Sequence, residues 1–586
     1  MSFTAVATKG ATGAISAAQL QDLEDNIDWF RRGRSTFLIR ENTTGASSLA
    51  SGSFQSVNYN IPVSGSEEWH TVWLEGSSNE LFESATDILS DWINLGKGEP
   101  GIWACGFTGG LRPGTGDGER EIRLRRTDGT TNLQLNNQLA QATDKAHRFH
   151  AATVMNFTDA DYAFQVQVHH SDTTTPLSTM SNNEPAHWWG LHIGSNGNST
   201  LNYAPARITV NDSPIDWWNN MANNQNRLDN RPAARIRQNA NQSLTSSTWT
   251  YANMADNVYE TDDAMVGVGA AQIIIQQAGY YWLASCLAFS GINTSGNRVN
   301  SRFTVNGSQP SGSSTGTGPY AINGETFVEN HDIVKLEIGD IVRVQAYAVA
   351  TSPVLEGQHN SYLAVTMVAG DPDDTSAEGQ KFVKEKTGLP PAAELPSYAD
   401  MSTAYLPHGY MNVLSDVMDY LWAPLIVKRY MSRKDGQHTE DGKWKTVSHV
   451  RTLFAPHGVT QDDSPIKVVN NNGGFKAPYP GLVLAISNAT IDPTAADDED
   501  ETTLGDDGLR GLRHVLNGQK RGQMLESAPS NNAVAWHGSI VDLFVVEEGD
   551  EIDLQVKSKT STDQDLVLNF STSTFVYVGD SITATP

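Results

Sequence analysis

Cysteine is almost absent: two among 586 residues, Cys105 and Cys286, with no Cys-x-x-Cys pair. Neither a disulfide framework nor a thiolate metal centre can organise a chain of this length. Each cysteine falls in a strand-like apolar run and reads as a small buried hydrophobe. Charge is also sparse at 18%, and positive charge most of all. With 40 Lys and Arg against 67 Asp and Glu, the formal net charge is −27. A nucleic-acid binder needs basic surface to displace counterions from phosphates, so nucleic acid is not an expected partner. No run approaches the roughly 18 to 20 apolar residues of a membrane span, and membrane insertion is not expected. The opening Met1-Ser-Phe-Thr-Ala-Val6 lacks the charged-then-apolar layout of a signal peptide, so classical export is not expected either.

Catalytic signatures are scarce as well. No His-Glu-x-x-His and no phosphate loop occurs, and no nucleophile elbow is expected. Gly267-Val-Gly-Ala-Ala-Gln272 fails the dinucleotide fingerprint at its last position. His169, His170, His187, His192, His408 and His457 have no metal-enforcing spacing and read as scattered surface residues. Asp371, Asp373, Asp374 and the run Asp497-Asp-Glu-Asp-Glu501 offer hard oxygen ligands but fit no EF-hand loop. Structural calcium is thus conceivable without a motif, and no cofactor is expected. Trp188-Trp189 and Trp217-Trp218 could stack on sugars; anchoring a linker helix against a sheet is the better reading. The chain is read as a non-enzyme.

What the sequence does contain is a block used three times. An apolar strand enters through a small residue and a glycine at Pro100-Gly-Ile-Trp-Ala-Cys-Gly-Phe107. It recurs at Ala278-Gly-Tyr-Tyr-Trp-Leu-Ala-Ser-Cys-Leu-Ala-Phe289 and at Pro480-Gly-Leu-Val-Leu-Ala-Ile486. An Arg-containing strand follows each copy and ends in Asp128-Gly129, Asn306-Gly307 or Asn517-Gly518, the strongest short hairpin signals. Gly279 precedes the Gly339-Asp340 turn by 60 residues, and Gly101 precedes Asp161 by the same 60. Gly481 precedes Gly549-Asp550 by 68, the excess falling in an acidic insertion between Ile491 and Leu509. Self-similarity at this scale means one domain type repeated, and a prior of about 150 residues per domain agrees.

A short helix is expected ahead of each copy. The first runs from Ser16 as N-cap to a stop at Gly33, and Leu20, Leu23, Ile27 and Phe30 form an a/d seam. Two heptads are too short to stand alone. The seam therefore serves either oligomerisation and attachment or packing on its own domain. The expected division is an N-terminal attachment segment and helix at 1–34, a first domain at 35–212 and a helix plus second domain at 213–370. A linker with helix at 371–423 and a third domain at 424–586 complete it. Many short strands with Gly, Asn and Ser turns make the fold class all-β, three tandem antiparallel sandwiches.

The second copy resembles the C1q/tumour-necrosis-factor type jelly roll. The resemblance is carried by Gln276-Gln-Ala-Gly-Tyr-Tyr-Trp282, Phe303-Thr-Val-Asn-Gly307, Val334-Lys-Leu-Glu-Ile-Gly-Asp-Ile-Val-Arg-Val344 and the strand Tyr362 to Val368. It implies jelly-roll sandwiches that assemble as trimers, and hence a homotrimer. The segment from Thr8-Lys-Gly-Ala-Thr-Gly13 to Glu24-Asp-Asn-Ile-Asp-Trp-Phe30 resembles the start of tailed-phage virion proteins. Together they imply a protein of the virion surface, a head fibre, capsid decoration, tail fibre or spike. Its partners would be itself, other virion proteins and a host receptor or glycan. A polysaccharide depolymerase and a soluble lectin-like adhesin are the rival expectations.

Overall fold

A computed structural model describes residues 17–28, 36–40, 48–49, 55–56, 73–75, 100–111, 119–127, 132–141, 147–157, 163–170, 177–178 and 187–194 of the N-terminal part. It then describes 218–219, 221–222, 225, 228, 231–261, 266–267, 271–292, 298–310, 316–317, 326–357 and 361–370. In the C-terminal part it describes 414, 417, 421, 424–431, 437–438, 443–449, 451–454, 469–470, 472–492, 509–519, 524–527, 536–559 and 567–579.

Three domains repeat one antiparallel pattern. In each, an opening strand lies between a return strand and a closing strand, and a leading strand pairs with the far side of the closing strand. The opening strands are Gly101–Leu111, Gly279–Ser290 and Gly481–Asp492. The return strands are His147–Phe157, Thr326–Leu336 and Trp536–Val546. The closing strands are His187–Gly194, Tyr362–Gly370 and Val567–Gly579, and the leading strands are Thr36–Arg40, Ala233–Arg237 and Ile426–Met431. Registers coincide, since Gly101, Gly279 and Gly481 face Phe157, Leu336 and Val546. A second sheet covers each inner sheet, built around Glu119–Thr127 with Ala163–His170, Val299–Val305 with Ile341–Ala348, and Leu509–Leu516 with Glu551–Lys559.

Outer-sheet chemistry repeats along with the strands. Arg123, Arg302 and Arg513 each donate from Nε to Gln167, Gln345 and Gln555 at 2.8 Å. The turns copy one another too. Asn306 and Asn517 hold positive φ before glycines that do the same, so each hairpin turns on a left-handed pair. Each Asn side chain then donates to Asp340 or Asp550 at 2.7 Å, and that Asp accepts the backbone N–H of Glu337 or Glu547 at 2.8 Å. Gly339 and Gly549 sit at φ near +90° in those turns, where an L side chain is strained. The first copy's Asp128-Gly129 turn and Asp161 lie outside the described residues, as does most of the acidic insertion.

Alternate residues of the opening strands separate two cores. Val483 and Ala485 face their sandwich interior, whereas Leu482, Leu484 and Ile486 face outward and are still fully buried. What covers them is the corresponding face of the other two domains. Ile102 and Ala104, Trp282 and Ala284, and Leu484 with Val541 and Leu543 belong to one continuous core. The three inner sheets therefore pack face to face about a common axis. This packing is made within one chain, and the faces are already covered; the expected homotrimer would be an assembly of three such chains. Ala104, Trp282 and Leu484 occupy equivalent positions three residues into each opening strand. A small, a large and a medium side chain fill one layer together, which three identical copies could not do.

The helices follow the same rule. Ala17–Asp28 is helical, and helical backbone recurs at 218–219, 221–222, 225 and 228 and at 414, 417 and 421. Leu20, Leu23 and Ile27 share one core with Trp218, Met221 and Leu228 and with Leu414, Val417 and Leu421. Asn26 donates to Gln225 Oε1 at 3.0 Å, and Gln225 donates to Leu23 O at 2.8 Å. The seam is thus closed by the chain itself, and Phe30 lies outside the described residues. Arg231 joins this end to the second domain by donating to Val368 O and Leu421 O at 2.6 and 2.7 Å.

Candidate functional site

The polar groups of the molecule gather where the return strands meet at the axis. Counting seven residues back from Phe157, Leu336 and Val546 gives His150, Glu329 and Ser539, three equivalent positions. His150 Nε2 lies 3.1 Å from Val541 O and 3.0 Å from Val541 N in the third domain. Glu329 Oε1 accepts the N–H of Ala152 in the first domain at 3.3 Å. Ala152 and Val541 are themselves equivalent, so one side chain-to-backbone contact is repeated around the axis. Ser539 is too short to repeat it, and His331 O instead accepts Asn488 Nδ2 at 2.8 Å.

A second ring uses the leading strands. Leu38, Arg235 and Lys428 are equivalent, each opposite the closing-strand residue that faces the sixth residue of the opening strand. Arg235 donates to Thr153 Oγ1 and Val154 O of the first domain at 3.0 and 2.8 Å. Lys428 donates to the equivalent pair, Asp332 Oδ1 and Ile333 O of the second, at 2.5 and 2.9 Å. At the third interface the cation is replaced by Leu38, and Asp542 faces His514 of its own domain at 3.5 Å. Burial lowers the Arg235 pKa, opposed by Tyr362, whose ring lies 3.6 Å beneath the guanidinium.

Within the first ring, His150 and His331 both face Glu329. His150 Nδ1 and His331 Nε2 are each 3.8 Å from a Glu329 carboxylate oxygen, with both imidazoles fully buried and Glu329 only 7% exposed. Burial pushes the Glu329 carboxyl up, but the two imidazoles outweigh it and hold it at about 2. Burial lowers His331, and Glu329 offsets that only in part. One donor atom from each of the three side chains lies within 4.8 Å of the others. Two imidazoles and a carboxylate are a donor set for a divalent transition metal.

The third domain brings together a second constellation. His514 Nε2 is 2.8 Å from Ser487 Oγ while its Nδ1 faces Asp542, the order of partners in a Ser-His-Asp triad. All three are buried at 1% or less, and Ser573 Oγ lies 2.7 Å from Ser487 Oγ. No substrate reaches this serine in the folded chain. It is a core hydrogen-bond network extended by His449, 3.0 Å from Ser571 Oγ. Gly312-Ser-Ser-Thr-Gly316 does spell Gly-x-Ser-x-Gly, contrary to the expectation of no elbow, but only Gly316 of it is described, as the start of a two-residue strand.

Several sequence expectations are corrected by position. His170 and His192 are buried strand residues, not surface ones. Cys105 and Cys286 are both buried, as the sequence led one to expect, and lie in different domains, four and seven residues past the opening glycine. Trp188 and Trp189 sit in a closing strand instead of anchoring a linker helix, whereas Trp218 is packed with the helices. The turn residues Gly101, Gly279, Gly339, Asp340, Gly481, Gly549 and Asp550 organise the repeat but are distant from the axial polar groups in the chain's register. His150, Glu329, His331, Lys428 and Asp332 carried no spacing signal, because each ring draws its members from different domains.

No family model and no curated protein matches this sequence. Solved structures do match over one domain's length. Murine APRIL is 14% identical with a TM-score of 0.19, covering 23% of this chain and 98% of its own. The globular domain of zebrafish complement 1qA is 12% identical with a TM-score of 0.17, over 23% and 95%. Eiger TNF from S. frugiperda is 11% identical with a TM-score of 0.19, over 25% and 98%. By their own strand order the described residues form tandem antiparallel β-sandwiches of one repeated pattern.

Proposed function

We propose that the chain is a non-catalytic structural and adhesive protein of a virion surface, a head fibre, capsid decoration or tail fibre of a tailed phage. The observation that carries the reading is the axial core, in which three jelly rolls and their three leading helices are packed into one unit by a single chain. Such a unit presents three sets of loops on a rigid base, the arrangement in which loop variation supplies recognition. The helical end, where the N-terminal segment meets the other two helices, is the docking end, and other virion proteins are its partners there. A host receptor or glycan is the partner at the loops.

Cryo-electron microscopy of particles that contain the protein tests this. Density for three jelly rolls per chain at the capsid or the tail is the expected result, with the helical end toward the particle. Absence from particles overturns the virion reading. Cleavage of capsular polysaccharide by the purified chain would favour a depolymerase, and glycan binding by free protein a lectin-like adhesin.

A further inference from the structure

We infer that His150, Glu329 and His331 bind one zinc-class divalent cation at the pseudo-threefold axis, where it ties the first domain to the second. The inference is independent of the virion reading. It stands first on geometry: one donor atom from each residue already lies within 4.8 Å of the others, with both imidazoles buried and the carboxylate partly so. Donors around tetrahedral zinc stand about 3.3 Å apart, so side-chain rotations of about 1 Å complete the set.

It stands second on His331. Neither ring nitrogen of this fully buried imidazole has a hydrogen-bond partner within 3.5 Å among the described residues, and Nε2 has only the longer 3.8 Å contact to Glu329. A buried polar group left without a partner costs about 1 to 3 kcal/mol, and such groups call for an explanation. The ring is fixed by its neighbours, with Trp282 at 5.9 Å and His150 at 6.0 Å between centroids. Its Nε2 is turned toward Glu329. A cation there would use that lone pair and would neutralise a carboxylate that the chain buries.

The donor set also decides which cation. Two imidazole nitrogens with one carboxylate suit zinc and its first-row neighbours, whereas calcium and magnesium prefer oxygen throughout. His150 is held by a partner outside the ligand set: Nε2 lies 3.1 Å from Val541 O, and donating there leaves the Nδ1 lone pair toward Glu329, whereas accepting the Val541 N–H at 3.0 Å puts the proton on Nδ1, so metal binding selects the first tautomer. That outer contact orients the ring as ligating histidines usually require. All three domains therefore contribute, two with ligands and one with the support.

The test uses the full chain, expressed without a histidine tag and purified without chelator. Elemental analysis should find about one zinc per chain, and refolding in EDTA should give metal-free protein whose Tm rises on adding zinc chloride. Cobalt(II) added to that protein should produce visible absorption bands of a low-coordinate nitrogen and oxygen site. His331→Gln and Glu329→Gln should each abolish the cobalt bands and the zinc-dependent Tm rise while circular dichroism stays that of folded β protein. If either variant fails to fold, the wild-type measurements decide alone. Metal-free protein as purified, with no zinc effect on Tm and no cobalt bands, overturns the inference and leaves the cluster as a buried ion pair.

Discussion

At the scale of residues, the three interfaces form a comparison set that the molecule itself supplies. Lys428 and Asp332 are each 1% exposed and 2.5 Å apart, a pair taken fully out of water. Breaking a buried pair from one side is costly because the other charge stays behind, whereas replacing both members is often neutral. Lys428→Leu, which installs the side chain found at the equivalent Leu38, should therefore cost about 3 to 5 kcal/mol. Lys428→Leu combined with Asp332→Asn should recover most of that loss. Chemical denaturation followed by tryptophan fluorescence reads both, and a single-variant loss below about 1 kcal/mol would refute the buried-pair account. His449 provides a pH handle in the third domain. Burial, with Arg429 and His514 nearby, lowers its pKa to about 3 from 6.5. The unfolded chain then binds the extra proton between those values, so stability falls as pH drops from 6.5 toward 3 and is unaffected by this group above that window. The expected slope is roughly 1 kcal/mol per pH unit, and His449→Asn should flatten it. An unchanged acid slope in that variant would show His449 to be protonated in the folded chain.

At the scale of elements, most of the fold was legible because strand signals are local. The Asn306-Gly307 and Asn517-Gly518 turns and the Gly-Asp turns are fixed by their own φ and their own hydrogen bonds, and at the opening Gly279 and Gly481 a side chain would run into Met367 and Tyr577 of the neighbouring closing strand. The heptad stripe of Leu20, Leu23 and Ile27 was legible as well, but the choice between partners was not. Matching stripes at 218, 221, 225 and 228 and at 414, 417 and 421 are what close it, nearly two hundred residues apart each time. The axial site was illegible for the same reason. His150 is separated from Glu329 by 179 residues, and their juxtaposition follows from the equivalence of the return strands, not from any spacing within one. A signal was nevertheless present at the level of the repeat: His150, Glu329 and Ser539 place a polar residue at the same position of three return strands that also carry other polar residues. Aligning the three copies residue by residue would have exposed that polar layer.

At the scale of the molecule, the question is whether threefold packing inside one chain removes the need for three chains. On the outward faces of the inner sheets Trp282, Leu484, Ile102 and their neighbours are buried without a second copy. The helix stripes are likewise consumed. Among the described residues the large hydrophobics left exposed are Tyr251 and Ile338, at 36% and 47%, and two separate side chains do not make an interface. The chain in isolation should therefore sediment as a single 63.6 kDa species over a wide concentration range. A mass three times larger would mean that segments outside the described residues create a further interface, and it would establish the expected homotrimer of whole chains. Interface variants separate the two cases further. Trp282→Ala removes the largest side chain of the axial layer and should cost about 3 to 5 kcal/mol of stability without altering the mass, because the face it weakens joins domains of the same chain.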